Sequence, residues 1–189
     1  MEASAARRPA TYEDLLALPP EVTGQIIDGE LYVSPRPAGD HVRSASILGG
    51  ELIPTFDRGR GGPGGWLIVV EPEIHLGRNV VVPDLAGWRR ARLPVYPRGP
   101  FITLAPDWVC EVLSPSTARL DRLKKLAVYA REGVSHAWLV DPVLETLEVF
   151  RLHEGRWTIV LTAEEEETVR AEPFDAIELE LSALWIPKS

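Results

Sequence analysis

The sequence predicts an α/β fold, and three patterns carry that prediction. From Asp107 to Pro142 the chain reads as strand, polar turn, helix and strand. Residues 25–33, 66–88 and 146–161 each read as two strands joined by a short turn. Residues 41–56 carry Val42, Ile47, Leu48 and Leu52 as the apolar members of a helix.

Taken in order, the first ten residues are small and basic and are expected to be poorly ordered. Residues 11–18 form a short helix with Thr11 as N-cap, acids in its first turn and Pro19-Pro20 as its stop. Asp28-Gly29 lies between apolar runs and suits a tight hairpin turn, so Asp28 and Glu30 read as turn and strand polar residues. Asp40 is placed to cap the helix that follows. The glycine-rich stretch 59–65 lacks the Gly-Lys-Ser/Thr ending and the preceding strand of a phosphate-binding loop, and reads as a flexible connection.

Two strands, 66–76 and 80–88, then turn about Gly77-Arg78-Asn79. In the first, Glu71, Glu73 and His75 alternate with apolar residues and define a polar face. In the second, Pro83 forfeits a ladder hydrogen bond just before Asp84, which requires a bulge or a break in pairing. Such breaks often aim a side chain at a site. A basic, proline-rich loop, 89–100, leads to the run Trp108 to Leu113.

That run is the kind required by a strand covered on both faces, and a single carboxylate, Glu111, interrupts it. An ionised group there is near a strand end, paired with a base, or holding a metal. After Ser114-Pro115-Ser116 a helix starts near Thr117, with Leu120, Leu123, Leu126, Ala127 and Ala130 as its core-facing stripe and Gly133 as its stop. Asp121, Lys125 and Tyr129 share a second face. On their spacing alone, Asp121 and Lys125 read as an exposed ion pair worth a few tenths of a kcal/mol. The plain structural account of the two buried carboxylates is that Asp84 caps the turn after Pro83 and Glu111 pairs with a loop arginine. Beyond Pro142 come the hairpin 146–161, a charged turn at 164–167, and a strand or short helix over 174–185.

Composition narrows the function classes. The chain has 189 residues, 45% hydrophobic and 25% charged, which suits one domain spanning 1–189 that buries roughly 70% of its unfolded surface. Its one cysteine, Cys110, excludes an intrachain disulfide and a Cys-based zinc cluster and reads as a small core residue. No apolar run approaches the ~18 residues of a membrane span, and the N-terminus lacks a secretory apolar segment, so a cytoplasmic protein is expected. The net charge of −8 argues against a polyanionic partner, but it is unevenly spread. Residues 89–131 carry +6, whereas residues 141–189 carry −8. The basic segment flanks Glu111 and permits a phosphate-bearing ligand. The four histidines, His41, His75, His136 and His153, lack paired helical spacing and do not suggest zinc.

The segments IIDGELYVSPRP, PDLAGWRRARLP, APDWVCEVLSPSTARLDRLKKLAVYAREGV and WLVDP, taken together, resemble the Uma branch of the PD-(D/E)XK nuclease superfamily. The resemblance covers most of residues 25–150. It implies a restriction-endonuclease-like core, a mixed β-sheet flanked by helices, with further β-hairpins at both ends. It also implies that Asp84 and Glu111 project from adjacent strands and bind Mg²⁺ or Mn²⁺. The superfamily's usual lysine position, two residues after the second carboxylate, is Leu113 here. The Uma spacing instead places the lysine on the next helix at Lys125, with Lys124 as its competitor, and Asp121, Tyr129 and Glu71 as supporting residues. Where the family often has Glu, this chain has Gln25, so any role of that carboxylate is absent or has passed to another residue such as Glu71.

The activity so implied is metal-dependent hydrolysis of phosphodiester bonds in DNA, with Lys125 orienting the nucleophile or offsetting developing charge. Two alternatives stand beside it: a non-catalytic module binding nucleic acid or protein on the same fold, and a hydrolase of small phosphoesters. A homodimer using the hairpin 146–161 is a further expectation.

Overall fold

The computed structural model describes residues 8–37 and 39–187. The expected disorder of residues 1–10 thus falls largely outside the described part, and what is described is tied down. Arg8 pairs with Asp14 at 2.7 Å, and the Ala10 N–H donates to the Gly29 carbonyl at 2.8 Å. Helix α1 (Tyr12–Leu16) follows Thr11, whose N–H donates to the Asp14 carboxylate at 2.8 Å. Strands β1 (Val22–Ile27) and β2 (Glu30–Pro35) form the expected hairpin. Its Asp28 and Gly29 have φ of 51° and 81°, the two positive values that make the Asp-Gly pair apt.

Helix α2 (Asp40–Leu52) starts one residue earlier than a capping Asp40 requires. Gly39 occupies the cap, and Asp40 sits inside the first turn, where its charge complements the helix dipole. The helix runs on as a π-helical segment, Ile53–Asp57, around Pro54, which has no N–H to contribute.

The two long strands expected over 66–76 and 80–88 are each cut in two. β3 (Trp66–Val70) and β6 (Leu85–Arg89) pair in one sheet, while β4 (Ile74–Leu76) and β5 (Asn79–Val81) pair in another. Pro72 and Pro83, unable to donate to a ladder, mark the two crossings. The expected polar face of Glu71, Glu73 and His75 is divided accordingly. Glu73 accepts from the Tyr12 hydroxyl and lies 2.8 Å from His75 Nε2, whereas Glu71, at φ 47°, turns to a different cavity.

β7 (Trp108–Val112) leads through α3 (Ala118–Leu120), a π-helical turn Asp121–Lys125 and α4 (Leu126–Arg131) to β8 (His136–Asp141). β9 (Thr146–His153) and β10 (Arg156–Glu164) form the second hairpin. The six-stranded sheet has the order β10-β9-β8-β7-β6-β3. β7 and β8 run parallel across the helical crossover, and the other neighbours are antiparallel. This is the mixed sheet flanked by helices, with hairpins at both ends, that the resemblance implies. The small sheet has the order β2-β1-β5-β4. The C-terminal stretch contains both a strand and a helical turn: β12 (Leu179–Glu180), paired with β11 (Thr168–Val169), and a 3₁₀ turn, Leu181–Leu184. No helix among the described residues is long and apolar enough to cross a membrane.

Alternation along the strands sends side chains to two apolar layers. Trp108, Cys110 and Val112 pack with Leu48, Leu52 and Phe174 on one face of the sheet. Val109 and Leu113 pack with Val128, Tyr129 and Leu139 on the other, and Glu111 falls on this second face. Gly87 lies opposite Trp108 in the ladder, where a Cβ would stand 3.2 Å from the rings of both Trp108 and Trp66.

The helix between β7 and β8 presents a different face from the leucine stripe. Leu123 is 61% exposed and Ala127 is exposed, whereas Asp121, Lys125, Leu126, Val128 and Tyr129 are buried. Asp121 and Lys125, whose spacing alone reads as an exposed ion pair, turn inward with Tyr129, because Lys125 and Tyr129 meet the Glu111 carboxylate.

Candidate functional site

The break at Pro83 shapes the site. The β6–β7 ladder ends with Leu85 opposite Cys110, so its register places Asp84 opposite Glu111. Directly opposed residues of antiparallel strands project to the same face. Where the next ladder bond would fall, the Asp84 side chain takes over: its Oδ2 accepts from the Val112 N–H at 2.7 Å. Its Oδ1 lies 3.1 Å from His41 Nε2. On the other side of the break, the Val82 N–H donates to Gln25 Oε1 at 2.9 Å, so the residue standing where the family often has Glu is spent holding the broken strand.

Glu111 is 1% exposed. Lys125 Nζ stands 2.5 Å from its Oε2, and the Tyr129 hydroxyl donates to its Oε1 at 2.5 Å. Lys125 also lies 3.3 Å from Asp121 Oδ1 and 3.4 Å from the Val82 carbonyl. The structure thus brings Asp84, Glu111, Lys125 and Asp121 onto one cavity of about 240 Å³, with the exposed Glu71 also on its wall. Tyr129 bonds to Glu111 but does not line the cavity. Lys124, the competing lysine, is exposed and lines a neighbouring pocket.

Neither plain structural account of the carboxylates holds. Asp84 caps a β7 amide rather than its own turn, and Glu111 meets an ammonium and a phenol rather than a loop arginine. The basic loop lies at the other end of the strands, next to Arg89 rather than Asp84. There Arg89 stacks on Trp66, Arg90 pairs with Asp57 and Arg92 with Asp107. Part of the +6 segment therefore does not flank the site.

Burial and neighbouring charge together explain the pKa shifts. Glu111 and Asp121 share the one ammonium of Lys125, and Asp84, on the same cavity wall, meets His41 instead. Burial pushes the Glu111 carboxyl up to about 8; Lys125 opposes this, and Asp121 and Asp84 add to it. Burial disfavours the charge on Lys125, but Glu111, Asp121 and Asp84 outweigh it and hold its pKa above the ordinary lysine value. Burial likewise lowers His41, and its bond to Asp84 together with the charges of Asp84, Asp121 and Glu71 brings the net shift upward.

His41 is the residue that sequence reasoning missed, having entered only as one of four histidines without zinc spacing. Its place in the first turn of α2 carried no local signal. Its Nε2 meets Asp84, and its buried Nδ1 has no hydrogen-bond partner among the described residues.

Comparison with known proteins agrees with this architecture. The family model Uma2, described as "Putative restriction endonuclease", matches residues 9–183. A crystal structure described as "a putative nuclease belonging to DUF820 from Anabaena variabilis ATCC 29413" superposes with a TM-score of 0.74 at 24% identity, covering 93% of this chain and 97% of that one. That likeness shows the shared fold. No curated protein matches. Because one family model spans nearly the whole chain, from before α1 to the final 3₁₀ turn, the protein belongs to the Uma2 family of restriction-endonuclease-like proteins.

Proposed function

We propose that this protein is a metal-dependent nuclease hydrolysing phosphodiester bonds in DNA. The observation that carries the reading is that Asp84, one step past the end of the β6–β7 ladder, falls opposite Glu111 and shares one cavity wall with it and Lys125. Burial, with Asp121 and Asp84 adding to it, raises the Glu111 pKa, so the site favours a proton or a cation on that carboxylate. Among the described residues no three His, Cys, Asp or Glu side chains form a ready ligand cluster. Two carboxylates nevertheless suit Mg²⁺ or Mn²⁺, since Mg²⁺ keeps several waters and takes its remaining ligands from substrate phosphate. Asp84 and Glu111 would hold the ion. Once bound, it would supply Lewis-acid polarisation of a phosphoryl oxygen and acidify water.

The chain's own groups do the rest. Val112 N–H and His41 fix both oxygens of Asp84, and Tyr129 fixes one oxygen of Glu111. The three donors of Lys125 face Glu111, Asp121 and, at 3.4 Å, the Val82 carbonyl; exchanging that longest contact for an incoming oxyanion would let the ammonium orient the nucleophile or offset charge developing on phosphate. Asp121 keeps that ammonium charged and in place.

Plasmid DNA incubated with Mg²⁺ or Mn²⁺ tests the reading. Cleavage by the wild type, lost by at least ~100-fold in folded Asp84→Ala and Glu111→Ala proteins, is expected. Intact DNA and RNA under all these conditions would favour the binding-module reading, to which the overall charge of −8 also points. Turnover of an aryl phosphate without nucleic-acid cleavage would favour the small-phosphoester hydrolase.

A further inference from the structure

The site cavity does not end at Thr117. It shares Gln25, Ser34, Ser116 and Thr117 with a second hollow of about 390 Å³ between β2 and the start of the helix after β7. Against these polar residues, the rest of the hollow offers an apolar patch open to solvent. Leu123 is 61% exposed and Val33 49% exposed, and the half-buried Tyr32 and Leu120 complete the surface. A helix that turns Lys125 inward must turn Leu123 outward, so the exposure of this leucine follows from the construction of the site. Arg119 and Lys124 stand beside the apolar patch, and among the described residues neither meets a carboxylate. Arg36, at the site cavity, gives its Nε to the Pro20 carbonyl and likewise meets no carboxylate among the described residues. In a chain of net charge −8, three cations with no carboxylate partner among the described residues stand along two hollows that share these walls.

We propose that this hollow takes an unpaired nucleobase of the strand whose phosphate enters the site, with Arg119 and Lys124 on the neighbouring phosphates. The inference rests on the nuclease reading above and names its substrate class as a single-stranded or locally opened nucleic acid. An intact duplex keeps its bases paired and stacked inside the helix, so an apolar hollow beside the scissile phosphate has nothing to hold. An unpaired strand offers a flat, largely apolar base between two anionic phosphates, matching an apolar wall with an aromatic ring and flanking cations. Continuity with the site and charge complementarity favour this occupant over a second copy of the chain.

The test uses fluorescence anisotropy with fluorescein-labelled oligothymidylate and with a blunt duplex of the same length, in calcium to separate binding from cleavage. Hydrolysis of bis(para-nitrophenyl) phosphate, too small to reach the hollow, reports on the site alone. Arg119→Ala/Lys124→Ala is expected to weaken oligothymidylate binding by about 10-fold. It should also reduce the salt slope by about 1.4, the share of two phosphate contacts on a single strand. Leu123→Asp should weaken the single strand more than the duplex, and all three substitutions should leave the small diester's hydrolysis unchanged. Unchanged strand affinity in these variants overturns the proposal while leaving the nuclease reading intact. A wild type that hydrolyses neither the small diester nor any oligonucleotide removes the nuclease reading, and with it the assignment of substrate. A dimer that Leu123→Asp splits in light scattering, with strand affinity unaltered, makes the hollow an interface between copies and also overturns the proposal.

Discussion

Replacing Glu111 by glutamine should remove the pH dependence of stability that this one group imposes. In the folded protein its pKa is pushed to about 8, against an ordinary value of 4.5. Between those values the folded state holds a proton that the unfolded chain has released, so stability falls as pH rises. The contribution is complete below the unfolded pKa and is lost as pH rises through the folded one. Each pKa unit corresponds to about 1.4 kcal/mol, so the full shift has a ceiling of about 5 kcal/mol, of which about 3 kcal/mol falls between about pH 5.5 and about pH 8.5. The substituted amide is neutral throughout and can still accept one hydrogen bond, and Lys125 keeps Asp121 at 3.3 Å. Urea denaturation with a chelator present, across that range, should therefore show the wild type losing its advantage over Glu111→Gln by about 3 kcal/mol as pH rises. His41 also titrates upward of its ordinary value, but its raising partners are Asp84, Asp121 and Glu71, so its effect cancels in the difference. Parallel stability curves for the two proteins would refute the claim that burial holds Glu111 protonated in the fold.

Four other outcomes follow from the same geometry. Lys125→Met strips the ammonium from buried carboxylates and should destabilise the fold by roughly 3–5 kcal/mol, while Lys124→Met, at an exposed position, should stay within about 0.5 kcal/mol. Calorimetry of Mn²⁺ binding at about pH 7 in buffers of different ionisation enthalpy should show release of close to one proton, taken from Glu111, and the binding should disappear in Asp84→Asn. His41→Ala removes the group at Asp84 Oδ1 and should raise the Mn²⁺ concentration needed for cleavage by about 10-fold, with little change in the urea midpoint. Gly87→Ala drives a methyl to 3.2 Å from two indole rings and should cost about 1–3 kcal/mol in thermal or urea unfolding.

Much of the fold was legible because its signals are local. The Asp28-Gly29 turn needs two positive φ values that few residue pairs accept, and the alternation at 146–161 needs only a period of two. Asp84 and Glu111 stood out because each interrupts an apolar run, and the awkward Pro83 announced the break that now aims Asp84. The continuations past Pro72 and Pro83 were not legible, because apolar periodicity says nothing about which sheet a strand joins.

By itself the sequence determined which short stretches are strands, turns and helices, and that Glu111 lies where solvent is excluded, while it read the buried Asp121 as exposed. Only the tertiary structure decided how those pieces face one another. Leucine spacing favoured burying Leu123, but the buried Glu111 beneath the helix costs more to leave without an ammonium and a phenol than one leucine costs to expose, so Lys125 and Tyr129 went inward. The same holds for His41, which reaches Asp84 from a distant helix, and for the basic loop, which chain proximity put beside Glu111 and the strand direction carried to the far edge of the sheet. Desolvated charge is settled by three-dimensional neighbours, and a linear pattern does not contain them.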